Sequence, residues 1–271
     1  ILYSWMTHGL KNFVRQSLLN LMNLTLHANT CLGAISPIGH KMNKIKGIAF
    51  DKDGTLIDFD ASWAVGFRTL INGIFPNNIK HQNILANAAG FNTITNKFSG
   101  GSIFVNGTTQ DVLDVWLNLF PELNSEIVLE KSEIAFSQLD AVPICNLYTF
   151  LSKLRAQGYF LGVITNAAEA PTLIQLERLG CLDLFDKVIG CDSGYEPKPS
   201  GNSILGFCDS VGIVPSEVAM VGDSTHDLNA GQNAGVGLNV GVLSGPASYD
   251  QISDVADIVL DNILSLHEVL K

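Results

Sequence analysis

From Tyr159 onward the chain alternates short apolar runs with segments of helical spacing, and this alternation constrains the fold more than any other feature. Tyr159–Ile164, Lys187–Gly190, Val218–Gly222, Val236–Val242 and Ile258–Leu260 read as strands. Thr172–Leu179, Ser203–Val211 and Leu228–Ala234 read as intervening helices, and a last helix follows Leu260. An earlier apolar run, Ile45–Phe50, reads as one more buried strand. Strands joined through helices predict a parallel sheet, because a parallel crossover carries the chain back over a face of the sheet. The predicted class is therefore α/β, a Rossmann-like parallel sheet with helices on both faces.

Between the first strand and the rest lies a block with helical spacing and almost no strand signal, from about Ala61 to Leu139. Trp63, Phe67, Leu70 and Ile71, then Val112, Val115, Trp116 and Leu119, carry the period. It predicts an inserted all-α cap domain at 59–140, with the α/β core built from 42–58 and 141–271. Residues 1–41 read as an N-terminal extension. They hold no Asp or Glu and carry Lys11, Arg15 and Lys41, which fits a transit peptide loosely. A signal peptide or membrane span fits less well, since Asn20 and Asn23 break the apolar run Leu18–Leu26. The preferred reading starts translation at Met42, directly before the first strong strand, which would leave 1–41 outside the native protein.

The formal net charge of −10 argues against nucleic acid or an anionic membrane as partner, because both call for a basic surface. Five widely spaced cysteines, Cys31, Cys145, Cys181, Cys191 and Cys208, include no Cys-x-x-Cys pair, so neither structural zinc nor a disulfide framework is expected. Reduced cysteines in a cytoplasmic protein are the simpler reading. Oligomeric state is not legible.

In open α/β sheets, ligands bind beyond the carboxyl ends of the strands. Four polar groups fall there: Asp51-Lys52-Asp53-Gly54-Thr55, Thr165-Asn166, Lys198 within Glu196-Pro197-Lys198-Pro199, and Gly222-Asp223-Ser224-Thr225-His226-Asp227. Carboxylates converging at one rim need a cation, and hard oxygen donors suit Mg²⁺. Asp51, at the strand tip, is placed to attack phosphorus in line and form an aspartyl-phosphate. Asp53 is placed to protonate the leaving alkoxide and then activate water. Gly54 permits a tight turn near the ligand. Thr165 and the Asn166 amide offer neutral donors to phosphate oxygens, and Lys198 offers positive charge. Asp223 completes the metal shell, while Asp227 orients a metal-bound water or Lys198. Each piece alone has a plain structural alternative: a polar turn, a solvated lysine, a helix N-cap. Their joint order and spacing carry the signal.

These four groups, in this order, resemble the motifs of the haloacid dehalogenase superfamily of phosphohydrolases over roughly Ile45–Lys271. The inserted helical block is similar to that family's α-helical cap, and Asp-Gly-Thr-Leu with Gly-Asp-Ser-x-x-Asp resembles the phosphoglycolate phosphatase-like branch. The resemblance implies Asp51 as nucleophile, Asp53 as acid/base, and Asp51, the Asp53 backbone carbonyl and Asp223 around Mg²⁺. Thr165, Asn166 and Lys198 would bind phosphate, with Gly54, Thr55, Ser224 and Asp227 in support. Lys52 departs from the pattern, standing where many relatives are apolar. The implied activity is Mg²⁺-dependent hydrolysis of a small phosphorylated metabolite, 2-phosphoglycolate foremost. A phosphosugar mutase of the β-phosphoglucomutase kind, a phosphatase of another small metabolite or nucleotide, and a degenerate phosphate-binding regulatory protein are the rivals. A dehalogenase is disfavoured because its chemistry needs no Mg²⁺ site. Among lesser candidates, His226 reads as a loop histidine, and Ser99–Ser102 as either a loop over the substrate or a plain connection. Trp63 and Trp116 read as cap core.

Overall fold

A computed structural model describes residues 45–107, 109–136 and 139–270. The alternative readings of residues 1–41 and the Met42 start lie outside them. The first strand, β1 (Gly47–Phe50), is buried along its whole length. A helical insertion follows, of α1 (Phe59–Ile74), α2 (Ile79–Ala88), the short strands β2 (Phe91–Asn92) and β3 (Lys97–Phe98), α3 (Ile103–Asn106), α4 (Thr109–Leu119) and α5 (Ser125–Phe136). The chain then runs through α6 (Leu147–Ala156), β4 (Phe160–Ile164), α7 (Glu169–Arg178), β5 (Lys187–Ile189), α8 (Asn202–Val211), β6 (Val218–Gly222) and α9 (Thr225–Ala234). It closes with β7 (Leu238–Val242), α10 (Tyr249–Ile252), β8 (Ile258–Leu260) and α11 (Leu266–Val269). The helix α6 is an addition to the elements expected from the sequence, and Leu147, Leu151 and Leu154 lie on one buried face of it.

The six long-range strands form one parallel sheet in the order β5-β4-β1-β6-β7-β8. Strand β1 is central: Phe50 stands opposite Val163 on one side and Val221 on the other. The three strands therefore end almost flush, and the residues just past their ends share one rim. The chain goes to opposite sides of β1 for β4 and β6, so this rim is also where the strand order switches direction, the usual place for a ligand crevice.

Alternate residues of β1 face opposite layers. Ala49 packs with Ile204, Phe207 and Cys208 of α8 and Ala230 of α9. Phe50 meets Phe150 of α6 edge-on, at a centroid distance of 6.3 Å. Helices thus cover both faces, as the alternation predicts.

The insertion has a core of its own. Phe67 is fully buried, with ring centroids 4.8 Å from Phe91, 4.9 Å from Phe104 and 6.0 Å from Trp116. Offset and edge-on aromatic pairs of this kind add stability beyond the area they bury. Asp58 starts α1 by accepting from the Ala61 amide at 3.0 Å. Among its described residues the insertion's regular structure is helical except for the β2–β3 ribbon, closed by a turn with Asn96 in the left-handed region at φ 57°. Strands of two residues leave no readable period, which is why the sequence gives no sign of them. No helix among the described residues is long and apolar enough to cross a membrane. Cys145, Cys181, Cys191 and Cys208 are all free thiols.

Candidate active site

Register explains the convergence at the rim. The Asp51 amide donates to the Val221 carbonyl at 2.8 Å, continuing the β1–β6 pairing by one residue. Gly54 donates to Ile57 at 2.7 Å, and Leu56 and Ile57 both return to the Lys52 carbonyl at 2.9 Å, so residues 51–57 fold into a compact loop over the strand end. Gly54 takes φ +92°, a region that costs a side chain dearly, and a Cβ there would lie 2.6 Å from the Asp223 carboxylate. Two separate strand ends meet at that contact.

The centre of the site is the Lys198 ammonium, which is buried. It donates to Asp51 Oδ1 at 2.6 Å, Asp227 Oδ1 at 2.5 Å and the Ile164 carbonyl at 2.9 Å. Asp51, Asp223 and Asp227 are all buried and offer carboxylate oxygens within 4.8 Å of one another. Lys198 pairs with Asp51 and Asp227, and among the described residues no ion pair reaches Asp223, so the buried cluster holds three carboxyl groups to one ammonium. Burial, opposed by Lys198 and reinforced by Asp227, pushes the Asp51 carboxyl up to about 7. Burial also lifts the Asp223 carboxyl well above its ordinary range, with the charges of Asp227 and Asp51 adding to it. Burial alone would pull the Lys198 ammonium down, but the facing carboxylates hold it well above its usual value. The cluster has surplus negative charge in a dry setting, and its donors are all hard oxygens. A divalent cation fits both facts.

The remaining residues from the sequence reading take up varied places. Thr165 is buried and its Oγ1 accepts from the Ala167 amide at 3.1 Å. Asn166 pairs with the main chain of Lys198 twice, Nδ2 to its carbonyl and Oδ1 from its amide, each at 3.0 Å. Its side chain thereby fixes the root of the lysine. Thr55 Oγ1 lies 3.5 Å from Asp223 Oδ1. Ser224 caps α9 in a reciprocal box: its hydroxyl donates to Asp227 Oδ2 at 2.6 Å and accepts from the Asp227 amide. Asp227 is ion-paired with Lys198 through Oδ1. His226 and Gly100 both line a cavity of about 190 Å³ that also touches Asp223, with Val105, Pro246 and Gln251 around it. Of the Ser99–Ser102 loop, Gly100 borders this cavity.

Asp53 is held differently from the others. Its Oδ2 pairs with Lys52 Nζ at 2.6 Å, and its Oδ1 accepts from Trp63 Nε1 at 3.0 Å. Trp63 packs against the insertion core as read, yet its indole edge reaches the site. Ser244 and Gly245, which lie outside the four sequence motifs, also reach the site. Ser244 Oγ donates to the Gly54 carbonyl at 2.7 Å, and a Cβ on Gly245 would fall 1.8 Å from Asp223 Oδ2. Their signal was available, since Leu243-Ser244-Gly245 follows the end of a predicted strand on the same rim.

The family model described as haloacid dehalogenase-like hydrolase matches residues 48–240. A phosphoglycolate phosphatase of Vibrio vulnificus is 29% identical over 238 residues, 84% of this chain and 96% of that protein. Pyrophosphatase PpaX of Bacillus velezensis is 27% identical over 194 residues, 71% of this chain and 81% of that protein. Among solved structures, that of a predicted phosphoglycolate phosphatase from Haemophilus somnus superimposes with a TM-score of 0.64 at 22% identity. It covers 84% of this chain and 99% of its own, a likeness of fold.

Proposed function

The chain belongs to the haloacid dehalogenase-like hydrolase family, and from that premise we propose that it hydrolyses a small phosphomonoester, 2-phosphoglycolate foremost, through an aspartyl-phosphate on Asp51. The observation that carries the reading is the Lys198 ammonium held between Asp51 and Asp227, with Asp223 in the same buried cluster. A strand-tip carboxyl group raised by burial, with a lysine beside it that favours its charged form, is suited to act as a nucleophile once positive charge is at hand.

In the proposed cycle an Asp51 oxygen attacks phosphorus and the bond from phosphorus to the leaving oxygen breaks. Asp53 gives that oxygen a proton, and the alcohol departs. Asp53, now a carboxylate, takes a proton from water as the water oxygen attacks phosphorus. The bond from phosphorus to Asp51 breaks, which returns Asp51 and releases phosphate. Lys198 and the Asn166 amide balance the charge on the phosphoryl oxygens, and Asn166 sets the reach of Lys198. Asp51 and Asp223, with the Asp53 carbonyl, would hold Mg²⁺. The bound ion would supply positive charge against the developing charge of the phosphoryl group. The insertion, read as a cap with bounds near 59–140, would shield the acyl phosphate from bulk water. The free thiols accord with a cytoplasmic setting.

The test is phosphate release with Mg²⁺ across a panel of phosphorylated metabolites, with inorganic pyrophosphate included because one relative is a pyrophosphatase. Turnover of 2-phosphoglycolate is expected, and Asp51→Asn should abolish it. Activity that survives Asp51→Asn defeats the mechanism.

A further inference from the structure

We propose that Lys52 and Trp63 are positioning residues for Asp53, a pair that sets the direction in which its carboxyl group faces. The proposal rests on the phosphatase reading above and concerns a departure that the reading leaves unexplained, a lysine directly after the nucleophile. Lys52 is only 2% exposed, a rare state for a lysine without a strong local reason. That reason is visible at three points of contact. Its Nζ donates to Gln175 Oε1 of α7 at 2.7 Å, pairs with Asp53 Oδ2 at 2.6 Å, and stands 5.6 Å from the centre of the Trp63 ring. A buried ammonium with one carboxylate, one amide oxygen and one aromatic face has little freedom to turn elsewhere.

Trp63 completes the arrangement from the other side by donating Nε1–H to Asp53 Oδ1 at 3.0 Å. The two carboxyl oxygens are thus each held by a separate donor. One donor grows from the β1 loop and is braced by the core helix α7; the other comes from α1 of the insertion. Two donors on the two oxygens of a planar group fix its rotation about χ2 as well as its place, which one hydrogen bond cannot do. Trp63 itself is wedged by Phe136 of α5, ring centroids 6.3 Å apart, so its N–H is aimed by insertion packing. The carboxyl group is therefore aimed only with α1 seated against the core. Misplacement of a reacting group by about 1 Å is worth roughly a hundredfold in rate, so such a pair has room to matter.

The discriminating measurement compares kcat/KM for the best alkyl phosphate of the panel with that for 4-nitrophenyl phosphate. An alkoxide must be protonated as it leaves and so depends on Asp53; a nitrophenoxide leaves without help. kcat/KM reports steps up to departure of the leaving group, so the later hydrolysis of the aspartyl-phosphate does not blur the comparison. Trp63→Phe keeps an aromatic side chain and removes the N–H donor together with the second ring of the indole. Lys52→Met keeps the length and removes the charge. Each is expected to lower kcat/KM for the alkyl ester by about ten- to a hundredfold and for the aryl ester by less than about threefold. Asp53→Ala provides the ceiling for that selective loss. Melting curves of each variant check folding, and if Lys52→Met unfolds, Trp63→Phe carries the test. Parallel losses on both esters, no loss, or a gain on the alkyl ester overturns the positioning role and leaves the phosphatase reading standing. A wild-type protein inert towards every ester overturns that reading, and this one with it.

Discussion

Replacing Lys198 by methionine puts the most direct load on the proposed site. The side chain keeps its length and loses one buried charge with three acceptors at 2.5–2.9 Å. Asp51 and Asp227 would then face each other without their shared cation. Removing one partner of a buried ion pair costs about 3–5 kcal/mol, because the remaining charge is stranded. At roughly 2–4 °C per kcal/mol for a chain of this size, the melting midpoint should fall by about 6–20 °C in metal-free buffer at pH 8. The deficit should shrink on acidification, since a protonated Asp51 no longer needs the lysine. Catalysis should suffer separately. Loss of one charge that faces the transferring phosphoryl group is worth about 2.7–4 kcal/mol, or roughly a hundred- to a thousandfold in kcat. Denaturation at pH 5 and pH 8, together with kcat on an aryl phosphate, measures both effects. A variant within about 1 kcal/mol of wild type at pH 8 and within about tenfold in kcat would show that Lys198 does not organise the site.

Two further outcomes follow from the same cluster. In the metal-free protein the Asp51 carboxyl is raised in the folded state from its ordinary 3.8 to about 7, so the stability it contributes is complete below about pH 4 and is lost as pH rises to about 7. Mg²⁺ at a hundred times its dissociation constant should then add about 2.7 kcal/mol. The Mg²⁺-induced rise in melting temperature should be larger at pH 8 than at pH 5, and a pH-independent rise refutes the linkage. Gly54→Ala would combine a left-handed backbone with a methyl group 2.6 Å from the Asp223 carboxylate, and should cost at least about 1 kcal/mol and raise the Mg²⁺ concentration needed for half-activation. Unchanged Mg²⁺ dependence counts against Asp223 as a ligand.

The sheet and its rim were legible because their signals are local. A four-residue buried strand ending in an aspartate, and a five-residue one ending in Gly222-Asp223, announce both the element and the place where its polar tip must lie. Lys198 could be read only as a member of an ordered set, since nothing in Glu196-Pro197-Lys198-Pro199 shows that its ammonium turns inward to Asp51, 147 positions earlier. Trp63 was legible as core and illegible as a donor: helical spacing tells which face is buried but not which ring edge protrudes. Lys52 stood out as an exception without an explanation, because its partners Gln175 and Trp63 come from two other elements. The β2–β3 ribbon escaped for want of length.

The central position of β1 bears on how the protein is made. Its two neighbours in the sheet begin at Phe160 and Val218, so the first strand of the described residues to leave the ribosome waits longest for company. Until Gly222 has emerged, a fully apolar strand keeps one unsatisfied hydrogen-bonding edge, the kind of surface on which nascent chains stick to one another. Asp51 and Lys52 at its tip are charges that a mispaired sheet would have to bury without Lys198 or Asp53 correctly placed. The same residues that serve the finished site thus discourage β1 from settling early into a wrong partnership.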